Sequence, residues 1–173
     1  MKRTMWLTTM SFLLAGIALS DDNAIAQQDT LKEQLVGTWT VTSVVNEHKD
    51  GSKIETFGSD PKGIFMFDSD GHFSTHIIRS YRPKFAHRDA PTCAESKAVV
   101  EGTITAFGTY TVAEADHSIS LHIIGSSFPT WDDTNQKRFI TITGDELKYI
   151  NPMPATGGGT GVVVLKRATA KEG

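Results

Sequence analysis

Between Gly37 and Arg167 the sequence consists of short runs of β-branched and aromatic residues separated by turn signals. About eight such runs occur, a pattern typical of an antiparallel all-β barrel or sandwich. In the first, Thr38 to Asn46, apolar positions alternate with threonines, as in a strand with one buried face. The positions expected to share its inner face are Trp39, Val41, Ser43 and Val45, and Trp39 is expected in the core at the closed end of the fold.

Aspartate and glycine mark the tight turns between these runs. Lys49-Asp50-Gly51 predicts a turn into a strand from Lys53 to Thr56, and Asp68 to Gly71 predicts a hairpin. That hairpin joins Ile64–Phe67 to His72–Arg79. The further predicted strands are Gly108–Ala113, Ser118–Gly125, Gln136–Thr143, Glu146–Asn151 and Gly161–Arg167.

Two helical segments are predicted beside the strands. The polar stretch Gln27 to Gln34 favours a helical turn that closes one end of the fold. Thr92 and Glu95 have the spacing of a capping box, so a second helix is expected to begin there and to run to about Thr105. Val99, Ile104 and Ala106 are expected roughly on one side of that second helix.

The N-terminus has the pattern of an export signal. Lys2 and Arg3 precede a largely apolar run, Met5 to Leu19, and Ala24-Ile25-Ala26 places small residues where a signal peptidase cleaves. We expect cleavage after Ala26, so that residues 27–173 form a single domain in the periplasm or outside the cell. An uncleaved anchor is the alternative, but the apolar run is short for a membrane span. No stable span is expected after cleavage.

Charge and motifs exclude several function classes. The net charge is only −3 and the charges are interspersed, unlike the basic surface of a nucleic-acid-binding protein. Cys93 is the only cysteine, which excludes an intrachain disulfide and leaves a buried or an exposed thiol. No Gly-x-Ser-x-Gly elbow occurs, and the glycines at 157–159 precede a strand instead of opening a helix. No cofactor is therefore expected.

Several short motifs, in their order along the chain, resemble the bacterial and fungal lipocalin-like domain family. The resemblance spans nearly all of the chain after Ala26 and implies a closed barrel around a cavity; related members in biosynthetic pathways do isomerase or cyclase work. The insert from His87 to Cys93 departs from the family pattern. The motifs are Leu35–Trp39, Gly63–Gly71, Arg79–Pro83, Phe107–Tyr110 and Phe128–Trp131, followed by Gln136, Arg138 and Phe139.

Polar side chains within apolar strands are the candidate site residues. His122 is a candidate acid or base because imidazole titrates near neutral pH, although a structural histidine is the alternative. His72 and His76 lie about 13 Å apart along one strand, too far to share a metal ion, so no metal site is expected. The residues expected to line a cavity are Tyr110, His122, Trp131 and Arg138, with Arg79 and Arg82 at its rim or merely on the surface.

Three functions remain open from the sequence. The first is an exported all-β, lipocalin-like protein that binds a small, mostly hydrophobic molecule in its barrel. The second is a cofactor-independent isomerase or cyclase in the same cavity, with His122 as acid or base and Arg138 or Tyr110 polarising an oxygen. The third is a structural envelope domain with a filled barrel. Oligomeric state and ligand identity do not follow from the sequence.

Overall fold

The computed structural model describes residues 29–169, which form a closed antiparallel β-barrel of eight strands with one short additional strand. The predicted signal peptide, Met1 to Ala26, lies outside the described residues. Within residues 29–169, neither helix is long and apolar enough to cross a bilayer. The elements are α1 (Leu31–Leu35), β1 (Gly37–Glu47), β2 (Lys53–Ile54), β3 (Lys62–Phe67), β4 (His72–Ile78), α2 (Cys93–Glu101), β5 (Thr103–Ala113), β6 (Ser118–Ser126), β7 (Thr134–Thr143), β8 (Glu146–Asn151) and β9 (Thr160–Arg167).

Neighbouring strands pair in chain order, so the barrel is an up-and-down meander. From β3 to β9 each strand pairs antiparallel with the next, and β1 pairs with both β3 and β9. The β1–β9 ladder, from Trp39 with Arg167 to Glu47 with Thr160, closes the barrel and leaves no free edge in it. The short strand β2 pairs only with the last residues of β1.

A β-bulge in β1 changes which of its residues face inward. Val41 pairs with Leu165 and Ser43 with Val164, so that Thr42 is an extra residue in β1. The expected inner face is confirmed for Trp39 and Val41 but is wrong beyond the bulge, where Val44 and Asn46 are buried in place of Ser43 and Val45. The bulge therefore brings a polar side chain, Asn46, into the barrel.

Helix α1 closes one end of the barrel. Thr30 and Glu33 form a capping box at its start, and Leu31 and Leu35 are buried. The indole of Trp39 donates a hydrogen bond of 2.9 Å to the carbonyl of Leu35, which joins the helix to β1. The expectation that Trp39 lies in the core is confirmed, because its side chain is fully buried.

Helix α2 begins where the capping box predicted it but ends earlier. Thr92 and Glu95 cap its first turn, and the helix ends at Glu101 because Gly102 follows. The expected extension to Thr105 is wrong. Ile104 and Ala106 belong instead to β5, where the β-branched residues from Thr103 onward favour a strand, and they pack toward the barrel interior.

Candidate ligand-binding cavity

The half of the barrel opposite α1 contains a cavity of about 70 Å³. A single water needs roughly 10–15 Å³ by the same measure, so the barrel is not completely filled by its own side chains. Apolar side chains form most of the wall, among them Phe65, Phe73 and Ile123. The ends of β1, β8 and β9 and the segment Pro154–Thr156 surround the cavity at this end of the barrel.

Arg138 on β7 is the one lining residue of this cavity that carries a full charge at neutral pH. Its side chain points inward because it alternates with the outward-facing Lys137 and Phe139, and it is only 5% exposed. Its terminal nitrogens donate hydrogen bonds to the Lys137 carbonyl, at 2.8 Å, and to the side-chain oxygen of Gln136. Its Nε is buried and has no hydrogen-bond partner among residues 29–169.

Tyr149 on β8 lines the cavity beside Arg138. Burial raises the pKa of its phenol above the ordinary value, and the charge of the Arg138 guanidinium and a hydrogen bond to it oppose this rise. The phenol therefore keeps its proton at neutral pH. The Tyr149 ring packs edge-on against Phe65, with 5.1 Å between ring centroids, which fixes its position in the wall.

Asn46 places a second polar group in the wall. Its amide nitrogen donates to the Thr156 hydroxyl at 2.7 Å and to the Gly157 carbonyl at 3.0 Å. These hydrogen bonds tie the loop between β8 and β9 to β1. The polar part of Asn46 thus has protein partners, unlike the Nε of Arg138.

Trp131 lies between the cavity and a cleft on the surface. Trp131, Arg138 and Asn151 line both spaces, so these three side chains form the wall between them. The indole stacks on Phe128, with 4.9 Å between ring centroids. Trp131 and Arg138, two of the residues predicted from the sequence to bind a ligand, both line the cavity.

His122 does not line the cavity, contrary to the expectation from the sequence. It is exposed on the outer face of β6, because its neighbours Leu121 and Ile123 take the inward positions on either side of it. Its Nδ1 lies 3.3 Å from the side-chain oxygen of Asn135. His122 therefore cannot act as an acid or base on a molecule in the cavity from this position, and the placement that the isomerase hypothesis required is wrong.

Tyr110 is also placed away from the cavity. Its hydroxyl donates a 2.7 Å hydrogen bond to the carbonyl of Asp68, and its ring packs edge-on against Phe67. Desolvation raises the pKa of this phenol, and the nearby Asp68 charge adds to the rise. Tyr110 holds the β3–β4 hairpin against β5, so the expectation that it lines the cavity is corrected.

Arg79 and Arg82 lie together beside α2 and not at the cavity. Arg79 donates to the carbonyl of Glu101 at 3.3 Å, and Arg82 donates to the Thr103 hydroxyl at 3.4 Å. Cations at the C-terminal end of a helix stabilise its unpaired carbonyls. Both arginines line a separate surface cleft with Lys62 and Lys84, so the expected rim position is not observed.

Several polar residues of the cavity are not among those predicted from the sequence. Tyr149 follows the inward parity of its strand, and counting parity from a known inward residue would have found it. Asn46 follows a bulge, and no sequence signal marked the change of parity there. Which side chains line the cavity therefore depends on the parity of each strand, and the local sequence does not determine that parity.

Comparison with known proteins gives one match. The sequence profile described as lipocalin-like domain matches residues 36–168, which include every strand of the barrel. A search of curated proteins finds no match.

Proposed function

The chain belongs to the lipocalin-like domain family, and we propose that its barrel binds a small, mostly hydrophobic molecule with one polar end. Barrels of eight strands are just wide enough inside to hold one small ligand. The observation that carries the proposal is the cavity of about 70 Å³, whose wall is apolar except for a few polar groups that include Arg138. This combination is typical of small-molecule sites.

The charge of Arg138 also argues for a bound ligand. A buried guanidinium is unfavourable when nothing balances its lost hydration, by several kcal/mol for an isolated ion. A side chain needed only to fill the barrel would be apolar, as Phe65 and Ile123 are in the same wall. A polar end placed against Arg138 and an apolar body against these side chains would use both features of the cavity.

The proposal includes export of the protein before it binds its ligand. The support is the sequence pattern of Met1 to Ala26, which has a positive start, an apolar run and small residues at the cleavage position. Intact-mass measurement of the protein from the periplasm or medium of its host tests this step. The expected mass is that of a chain beginning at Gln27.

Native mass spectrometry of the mature protein, purified from its own host, tests the binding function. We expect an added mass that is lost on denaturation. Ala106→Leu places a larger side chain in the cavity and should abolish the added mass, because Ala106 is buried in its wall. Ala113→Leu is the matched control, since Ala113 is exposed on the same strand.

Thermal unfolding confirms beforehand that both variants fold. A wild-type protein without added mass would contradict the proposed function. An added mass retained by folded Ala106→Leu would place the ligand outside the barrel.

A further inference from the structure

We propose that the polar end of the ligand is a carboxylate and that Arg138 binds it. This inference rests on the proposed function and adds the chemical class of the ligand. The burial of a single side chain, its charge and its Nε, which has no hydrogen-bond partner among residues 29–169, carry it.

The charge of Arg138 has no acidic partner among residues 29–169. The side chain is only 5% exposed, and no Asp or Glu in this range lies within ion-pair distance of it. The groups that it contacts, the Lys137 carbonyl, the Gln136 amide and the protonated Tyr149 phenol, are neutral. They accept hydrogen bonds from Arg138 but leave its positive charge uncompensated. A neutral ligand oxygen would accept a hydrogen bond but would also leave the charge of Arg138 uncompensated, whereas an anion supplies both a hydrogen bond and the missing negative charge.

The single positive charge of the cavity limits which anion fits. The cavity lining holds no Lys, no His and no second Arg among the described residues, so one positive charge is available. A phosphate monoester carries up to two negative charges at neutral pH and would bring an unbalanced charge into an apolar wall. A carboxylate brings one. The guanidinium of Arg138 has five N–H groups, and its hydrogen bonds to Lys137 and Gln136 use two of them. Its remaining N–H groups and the protonated Tyr149 phenol beside it are available to the carboxylate.

The remaining wall of the cavity favours an apolar body for the ligand. Beyond Arg138 and Tyr149 the wall offers mainly apolar contacts, including Phe73, Ile77 and Leu121. A hydrocarbon body gains from this surface by leaving water. The ligand class is therefore an aliphatic monocarboxylate.

Butyrate and 1-butanol, which differ in the charge of one end, are the probes for the test. Each is titrated into the mature wild-type protein at pH 7 and followed by the chemical shifts of backbone amides. We expect butyrate to bind at least tenfold more tightly than 1-butanol. Arg138→Gln should remove the preference for the carboxylate over the alcohol. Lys148→Gln should keep this preference, because the substitution removes the same charge from the outer face of β8.

A pH series on the wild-type protein gives a second test that does not depend on a variant folding. Butyrate affinity should fall as the pH drops through the ligand's own carboxyl pKa, which is near that of a glutamate side chain, about 4.3. The affinity of 1-butanol should not follow this change. Equal affinities for the two probes at pH 7 would overturn the carboxylate inference and leave the proposed function intact. Binding of neither probe inside the barrel would overturn both.

Discussion

The guanidinium of Arg167 lies over the indole of Trp39, with 4.2 Å from its central carbon to the ring centroid. The same guanidinium donates hydrogen bonds to the carbonyls of Val36 and Gln34 and lies 3.7 Å from an Asp145 carboxylate oxygen. At the closed end of the barrel an arginine thus has carbonyl, aromatic and carboxylate partners. Arg138, at the other end, has neutral partners only, and this contrast distinguishes the structural Arg167 from the arginine that we propose binds the ligand.

Arg167→Met should destabilise the protein by about 2 kcal/mol, since it removes two charge-assisted hydrogen bonds and a cation–π contact at a partly exposed position. Urea unfolding followed by tryptophan fluorescence measures the change. Lys166→Met is the control, because Lys166 faces outward on the same strand, and its effect should stay within about 0.5 kcal/mol. Equal effects of the two variants would mean that the contacts of Arg167 do not stabilise the closed end.

Tyr149 makes stability depend on alkaline pH. Its pKa is raised in the folded state, so above about pH 10 the unfolded chain releases a proton that the folded protein retains. The unfolded state then binds fewer protons, and the free energy of unfolding falls as the pH rises through this range. Urea unfolding between about pH 9 and 11 should show this decline.

Tyr149→Phe should reduce the decline in the free energy of unfolding at alkaline pH, because the substitution removes the ionisable phenol. Tyr81→Phe is the control, since Tyr81 is 79% exposed, and it should leave the decline unchanged. An identical decline in the wild type and in Tyr149→Phe would show that ionisation of Tyr149 does not contribute.

The size of the cavity limits the length of the ligand. An engineered apolar cavity of about 150 Å³ binds benzene, and the cavity of about 70 Å³ is less than half that volume. In a series of straight-chain carboxylates from propionate upward, affinity should rise roughly fourfold per methylene, or about 0.8 kcal/mol. The rise should stop between butyrate and hexanoate. Isothermal titration calorimetry measures the series, and an unbroken rise to decanoate would show that the barrel opens further than its described form.

The fold could be predicted from local sequence signals because they act over a few residues. Asp-Gly turns, alternating strands and two-residue caps such as Thr92 with Glu95 set where elements begin, and the structure has them at those places. The end of α2 was misplaced because the preference of Thr103 and Ile104 for a strand is settled by pairing with β4.

The site was only partly predictable, because facing inward or outward depends on register. His122 sits between Leu121 and Ile123 and Arg138 sits between Lys137 and Phe139, and in either strand a shift of one residue exchanges inside for outside. The ladder of β6 with β7 turns Arg138 inward and His122 outward. Pairing between the strands of the barrel determines which of the two side chains faces inward, and no local sequence pattern indicates it.

A crystal structure of the mature protein with butyrate tests the central claim most directly. We expect one butyrate inside the barrel, with a carboxylate oxygen about 2.8 Å from a guanidinium nitrogen of Arg138 and its chain against Phe73 and Ile123. Butyrate found only on the outer surface, or inside with its carboxylate turned away from Arg138, would contradict the proposed binding.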